Sequence, residues 1–424
     1  MKLYPHQQKA LDDTAGFENV AYYLDMGLGK TYVGAEKMVL LGNRINLIVC
    51  QKSKVQDWVN HFESNYIHIV RNLTNKKDFE NFIFEATRTD LTAFVVAVIN
   101  YELAWRRKQL LQLENFTLML DESSLIQNQK AKQAKFILKM KPKNVILLSG
   151  TPTAGKYENL WSQIKLLGWS ISEKVYNNQY VNWTTIEAGG FKHKVVDKAD
   201  PYKNVERLKR KLREHGAVFM KTEEAFELPE QIEIPVVVPS SKEYRKFCKD
   251  KVIVMDDVEL VGDTQLTERL CKRQLCGMYS KEKLDAFRDL VESTKDRLIV
   301  FYNFNHELER LKGILKSMNR PVSVVNGSEK DLTAYEQEDD SVTLIQYQAG
   351  AMGLNLQKAN KIIYFTVPDK SELFEQSKKR IHRIGQDKTC FYYFLLVRNS
   401  VETNEILPTL KVRKEWSDEL FKSI

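Results

Sequence analysis

Three short stretches carry side chains able to handle a phosphate chain. The first is Leu24-Asp25-Met26-Gly27-Leu28-Gly29-Lys30-Thr31, which follows the apolar run AYYL and precedes a helical pattern. Gly27 and Gly29 let the backbone wrap closely around an anion. Lys30 brings a positive charge to the β- and γ-phosphates of a nucleotide, and Thr31 offers a hydroxyl to Mg²⁺. The full form of such a loop has a glycine where this chain has Leu24, and GLGKT alone also reads as a turn before a helix start. The second stretch, LMLDES, ends an apolar strand with Asp121 and Glu122. Parallel sheets bind ligands beyond the carboxyl ends of their strands. Asp121 there holds Mg²⁺ through water opposite Thr31, and Glu122 orients and deprotonates the water attacking a γ-phosphate. DESS equally suits a helix N-cap. The third stretch, FEQSKKRIHRIGQDK (374–388), sets Gln376, Arg380 and Arg383 in a run more specific than a solvated helix face requires.

The elements around these stretches alternate. Apolar runs at 46–50, 94–99, 116–123 and 144–150 read as buried strands separated by helical patterns, the signature of a parallel sheet covered by helices. Residues 155–216 read as a helical insertion closed by the basic helix NVERLKRKLREHG, with Gly216 as its stop. The proline-punctuated segment ELPEQIEIPVVVPS is extended, and 241–292 is a second helical block. Strands return at 297–303, 322–327, 341–347, 361–367 and 389–397. The fold class is α/β, with two parallel-sheet lobes, 1–222 and 223–424. Trp161, Trp169 and Trp183 have spacings better suited to core packing than to base stacking.

The bulk properties agree with such a chain. Its 424 residues are 43% hydrophobic and 28% charged, enough to bury two or three cores. No apolar run approaches the roughly 18 residues of a membrane span, and the start lacks the apolar stretch of a signal peptide. The cytoplasm is the expected compartment. The five cysteines are odd in number and scattered, which fits free core thiols. A net charge of +8 permits a polyanionic partner without requiring one.

In order along the chain, LYPHQQKAL, MGLGKT, DWVNHF, INYE, DESS, LLSGTPTAGKYENLW, IVFYNF, QAGAMGLNL and QSKKRIHRIGQ resemble the motifs of superfamily-two helicases, specifically the Swi/Snf-type ATPases. The resemblance implies two RecA-like lobes in tandem with helical insertions, and ATP and Mg²⁺ as cofactors. It places Gln7 at the adenine and Gly27, Leu28, Gly29, Lys30, Thr31 and Gly353 around the nucleotide. Arg380 and Arg383, supported by Gln376, reach the γ-phosphate from the second lobe, where the planar guanidinium fork suits an anion. Thr31 and Asp121 hold the Mg²⁺. Lys52, Ser53, Lys54, Asn100, Thr151 and Gln348 contact nucleic acid. Ser149, Gly150 and Thr151 link the state of the ATP to lobe geometry. Two departures stand in the second lobe: a short VNGSEKDLTAYEQEDDSV without the family's arginine, and QYQAG in place of Ser-Thr-Arg-Ala-Gly.

The implied function is a DNA-dependent ATPase translocating on duplex DNA without sequence specificity. Two alternatives are a strand-separating helicase, for which no wedge hairpin stands out in the sequence, and a nucleic-acid scaffold with weak ATPase. The length leaves little room for chromatin-reading extensions, which suggests a compact stand-alone form of bacteria or their phages, with replication or repair proteins as partners.

Overall fold

Short runs of β-branched and aromatic residues form two separate seven-stranded sheets in the computed structural model, which describes residues 2–88, 90, 92–188, 190–350 and 354–423. The strands in chain order are β1 (Asn19–Leu24), β2 (Ile45–Cys50), β3 (Ile69–Asn72), β4 (Val95–Asn100), β5 (Phe116–Asp121), β6 (Asn144–Leu148), β7 (Trp183–Ala188), β8 (Phe191–Val196) and β9 (Ala217–Met220). They continue with β10 (Gln231–Val238), β11 (Val252–Met255), β12 (Val258–Val261), β13 (Leu298–Tyr302), β14 (Val322–Val325), β15 (Lys330–Asp331), β16 (Val342–Gln346), β17 (Lys361–Tyr364) and β18 (Cys390–Val397).

The first sheet has the order β3-β4-β2-β5-β6-β1-β9, with every pairing parallel. All six residues of β2 and of β4 are buried, as expected for strands covered on both faces. The second sheet has the order β10-β18-β17-β13-β16-β14-β15 and is parallel except where β15 turns back on β14. Successive residues of β13 serve opposite cores. Leu298, Val300 and Tyr302 pack with Leu311 and Leu315, whereas Ile299 and Phe301 pack with Tyr364 and Phe394. The α/β class and the pair of parallel sheets match the expectation.

The helical insertions are not wholly helical. Between 155 and 216, helices Trp161–Leu166, Glu173–Tyr180 and Val205–Glu214 flank an antiparallel hairpin of β7 and β8. Its WTTI run carries the β-branched strand signal, and Gly189 of the Gly-Gly pair lies outside the described residues. Between 241 and 292, β11 and β12 form a second hairpin around Asp256 and Asp257, both with positive φ (46° and 62°). Two left-handed residues in a row make the tight turn that matches strand twist. The extended segment is β10, and Pro235 is tolerated there because β10 is an edge strand.

The chain divides into two units, 1–225 with 415–424, and 226–414. The expected second lobe, 223–424, is corrected at its end, because the segment from Glu415 packs on the first unit. Phe421 stacks edge-on against Phe219 with ring centroids 5.4 Å apart, and the Tyr157 hydroxyl donates to the Trp416 carbonyl at 2.8 Å. Among the described residues no helix is long and apolar enough to cross a membrane.

Candidate active site

In the first unit, five sequence-selected segments lie at or just past the carboxyl ends of parallel strands. The glycine-rich loop follows β1, Lys52–Lys54 follow β2, Asn100 ends β4, Asp121 ends β5 and Ser149–Thr151 follow β6. The loop turns through Gly27 (φ 87°) and Gly29 (φ 76°), and helix Lys30–Leu41 starts from Gly29. A side chain at Gly29 would meet Gln7 as well as backbone strain, because its Cβ would lie 2.2 Å from Gln7 Nε2. Space beside Gly27 is open. The loop thus offers close approach to an anion, backed by the N-terminus of a twelve-residue helix.

Gln7 is buried and fastens the loop. Its Oε1 accepts from Tyr4 N at 3.0 Å, and its Nε2 donates to Leu28 O at 3.2 Å. His6 Nε2 lies 3.0 Å from the same carbonyl. The Leu28 side chain is fully buried, so only its backbone faces the loop's contacts. Lys30 Nζ donates to Leu24 O at 3.0 Å and Asp25 O at 3.3 Å. Gly150 stands against it: a Cβ there would lie 3.3 Å from Lys30 Nζ. Asp25 is a residue that motif reading passed over. Its buried carboxylate accepts from Met26 N at 2.9 Å and from the Thr222 hydroxyl at 3.0 Å, tying the loop to the segment after β9.

Burial pushes the Asp121 carboxyl up from its ordinary value. The Trp58 indole N–H, 2.8 Å from Oδ2, and the charges of Lys30 and Lys54 pull it back. A half-buried carboxylate at the end of a strand, with Thr31 at the adjoining helix start, offers oxygen donors of the kind a divalent cation takes. Trp58 comes from DWVNHF, a motif whose sequence gives no sign that it grips the acidic strand. Glu122 has φ 54°, left-handed for a residue with a long side chain. Such a conformation costs on the order of 1–3 kcal/mol and persists only where surroundings impose it. The Ser149 hydroxyl points at Glu122 Oε2 at a long 3.5 Å, and Thr151 N donates to Ser149 Oγ at 3.1 Å. The N-cap reading of DESS fails here, since neither acidic side chain caps the short turn Ser123–Ile126.

The expected nucleic-acid residues divide. Lys52 and Ser53 are exposed, and Lys54 pairs with Asp57 at 2.8 Å. Asn100 turns inward and donates to Glu102 at 2.7 Å, because helix Tyr101–Ala104 begins there. Thr151 is buried, and its hydroxyl has no hydrogen-bond partner among the described residues. The basic helix Val205–Glu214 spends much of its charge on structure. Lys209 is 1% exposed between Glu206 and Glu419, and Arg213 lies over the Phe219 ring. Trp161, Trp169 and Trp183 pack against the first unit's core.

In the second unit, Gln386 staples the RIHRIGQ run to the preceding GLNLQKAN segment, donating to Ala359 O at 2.9 Å and Gln357 O at 3.2 Å. His382 Nε2 lies 2.9 Å from Pro229 O. Arg380 and Gln376 are buried. Arg383 is half-buried; among the described residues it makes one hydrogen bond, a long 3.5 Å contact to Leu354 O, and no ion pair. Burial pulls its guanidinium down from the ordinary value. Gln348 is exposed in the turn after β16, and Gly353 lies outside the described residues.

Comparison with known proteins gives two matched family models, an SNF2-related domain over residues 23–285 and a helicase conserved C-terminal domain over 282–385. Among curated proteins, "Uncharacterized ATP-dependent helicase MG018" of Mycoplasma genitalium is 23% identical over 89% of this chain and 38% of its own length. The mouse "SWI/SNF-related matrix-associated actin-dependent regulator of chromatin subfamily A member 1" is 22% identical over 89% of this chain and 39% of its own. The chain therefore spans well under half the length of these relatives. Among solved structures, the "Sulfolobus solfataricus SWI2/SNF2 ATPase core in complex with dsDNA" is 19% identical, covers 99% of this chain and 92% of its own, and has a TM-score of 0.43.

Proposed function

This chain belongs to the SNF2-related helicase family, a family of ATP-hydrolysing enzymes, and on that premise we propose that it is a DNA-dependent ATPase moving along double-stranded DNA without reading its sequence. The observation that carries this reading is the gathering of the glycine-rich loop, Lys30, the Asp121-Glu122 pair and Ser149–Thr151 at one edge of one parallel sheet.

In this reading Gly27 to Thr31 cradle the phosphates and Lys30 leaves the Leu24 and Asp25 carbonyls for the phosphate oxygens. Thr31 and Asp121 hold the Mg²⁺, which when bound neutralises charge on the phosphate chain. Glu122 takes a proton from the attacking water as its oxygen bonds the γ-phosphorus and the bond to the β–γ bridging oxygen breaks, releasing ADP. Arg380 and Arg383 are assigned to the γ-phosphate, an anion that the planar guanidinium fork suits. A half-buried guanidinium with no acidic partner among the described residues, as at Arg383, supports this role, because an anionic ligand would offset its desolvation. Lys52 and Ser53 follow the DNA backbone, with hydroxyl and ammonium donors that carry no sequence code.

The test is steady-state ATP turnover with duplex, single-stranded and no DNA, over a range of salt. Duplex should stimulate at least as well as single strands, and apparent affinity should fall steeply with salt through counterion release. Stimulation by single strands alone would overturn the reading.

One observation favours strand separation as a second reading. The β7–β8 hairpin presents Phe191, 72% exposed, beside exposed Lys192 and Lys194. If it parts strands, the parent protein should unwind a fork and Phe191→Ala should lose unwinding while keeping turnover. If the parent shows no unwinding, the hairpin has another use.

A further inference from the structure

One side chain in the first unit belongs to none of the motifs yet joins three of them. Gln163, in helix Trp161–Leu166, is fully buried. Its Nε2 donates to Pro152 O at 2.8 Å. Its Oε1 accepts from the Ser123 hydroxyl at 2.8 Å and the Tyr23 hydroxyl at 3.0 Å. The amide orientation is fixed by chemistry, because a carbonyl oxygen only accepts and so the NH₂ must face Pro152. Tyr23 stands in β1, one residue before the loop begins at Leu24. Ser123 follows Glu122, and Pro152 follows Thr151.

These bonds close a ring. Gln163 joins Ser123, whose neighbour Glu122 accepts from Ser149. Ser149 accepts from Thr151 N, and the next residue returns to Gln163. Gln127 also donates to Pro152 O at 3.2 Å, and Asn159 holds Gln127 at 3.0 Å, so the Pro152 carbonyl is gripped from two sides. Glu122 sits in the left-handed region, which an unbranched turn would relax. The Ser123–Gln163 bond fixes the residue directly after it. A leucine or methionine would fill the volume equally well, but it would leave the Tyr23 and Ser123 hydroxyls buried without partners and the Pro152 carbonyl with Gln127 alone. A polar hub at such a position is explained by what it aligns.

We propose that Gln163 is a positioning residue for hydrolysis, holding Glu122 in register with Ser149–Thr151 and with the strand that feeds the phosphate loop. This rests on the ATPase reading and on Glu122 as base. Displacing a reacting group by about 1 Å costs on the order of 10²-fold in rate.

The experiment compares Gln163→Met with the parent, using a fluorescent-ATP titration, steady-state ATPase with saturating duplex DNA, and thermal melting. Gln163→Met keeps length and volume and removes every bond. It should bind nucleotide within about 3-fold of the parent, whereas kcat should fall about 10- to 100-fold with KM little changed. Ser123→Ala, which removes one arm, should fall in the same direction by less. Combined with Gln163→Met it should add almost nothing, since both break one ring. Parent-like kcat in Gln163→Met would overturn the proposal. So would equal loss of nucleotide affinity and kcat, which marks a folding role. If Gln163→Met does not fold, Ser123→Ala with Tyr23→Phe decides: unchanged kcat in both overturns it. An inactive parent, or an active Glu122→Gln, would instead refute the ATPase reading or the base assignment.

Discussion

At the scale of single residues, the site separates binding from chemistry. Lys30 touches the loop's own carbonyls and Asp121 is held by Trp58, whereas Glu122 is held by its strained backbone and by Ser149. Lys30→Ala should therefore weaken nucleotide binding and turnover together. Glu122→Gln keeps the shape and removes the base, so binding should survive while kcat drops about 10²-fold or more. A nucleotide titration beside an ATPase assay distinguishes them, and normal turnover in Glu122→Gln would remove Glu122 from the role of base. Trp58→Phe should tell a third story. It removes the indole donor from a buried carboxylate, raising the pH at which Asp121 ionises, so the ATPase pH profile should shift its acid limb upward relative to the parent.

At the scale of elements, the second unit carries a buried carboxylate as a helix cap. Glu307 lies in the first turn of helix Asn305–Ser317 and accepts from Asn303 N at 2.8 Å, Phe304 N at 3.1 Å and Thr366 Oγ1 at 3.0 Å. Its other oxygen faces Gly277, where a Cβ would come within 2.1 Å. Burial pushes this carboxyl up to about 7, against the pull of those donors and of Lys283. The unfolded chain loses the proton in the ordinary carboxylate range, while the folded chain keeps it to about 7. Between those limits the native state binds more protons. Stability should thus fall as pH rises through the window and level off above it, by no more than about 3 kcal/mol. Glu307→Gln should flatten that slope. Urea midpoints at pH 5.5 and 7.5 for both proteins check it, and an unchanged slope would reject the assignment.

At the scale of the whole molecule, two features join distant parts of the chain. The final segment secures the first unit through Trp416, Phe421 and the pairs Lys209–Glu419 and Lys221–Asp418, the latter at 2.5 Å. Phe421→Ala should cost about 3 kcal/mol of first-unit stability, read from urea unfolding, and a cost near zero would make that docking incidental. The arginines are the second feature. If they complete the site, Arg383→Ala should bind ATP and DNA nearly as the parent does, while DNA-stimulated turnover falls on the order of 10³-fold and basal turnover changes much less. Lysine should rescue poorly, lacking the planar fork. Full stimulation in Arg383→Ala, or nucleotide loss matching Lys30→Ala, would reject the role proposed for Arg383 in DNA-stimulated hydrolysis.

Much of this was readable in the chain because the chemistry needs fixed residue types at short spacing. Gly27, Gly29 and Lys30 form one turn, and Asp121 and Glu122 end one strand, so local order alone reveals them. Parallel strands likewise announce themselves as apolar runs of β-branched residues, since they are buried on both faces. The two hairpins lie inside neighbourhoods that read as helical, because four- to six-residue strands leave a weak periodic signal. Asn100, which the resemblance places at nucleic acid, is turned inward, since burial depends on the next element. What only the tertiary structure decided are pairings across long separations: Trp58 on Asp121, Thr222 on Asp25, Trp416 under Tyr157, and Gln163 among Tyr23, Ser123 and Pro152. A hydrogen bond constrains two atoms in space, not two positions in sequence, so a lone buried glutamine carries no mark of its partners until the chain has folded around it.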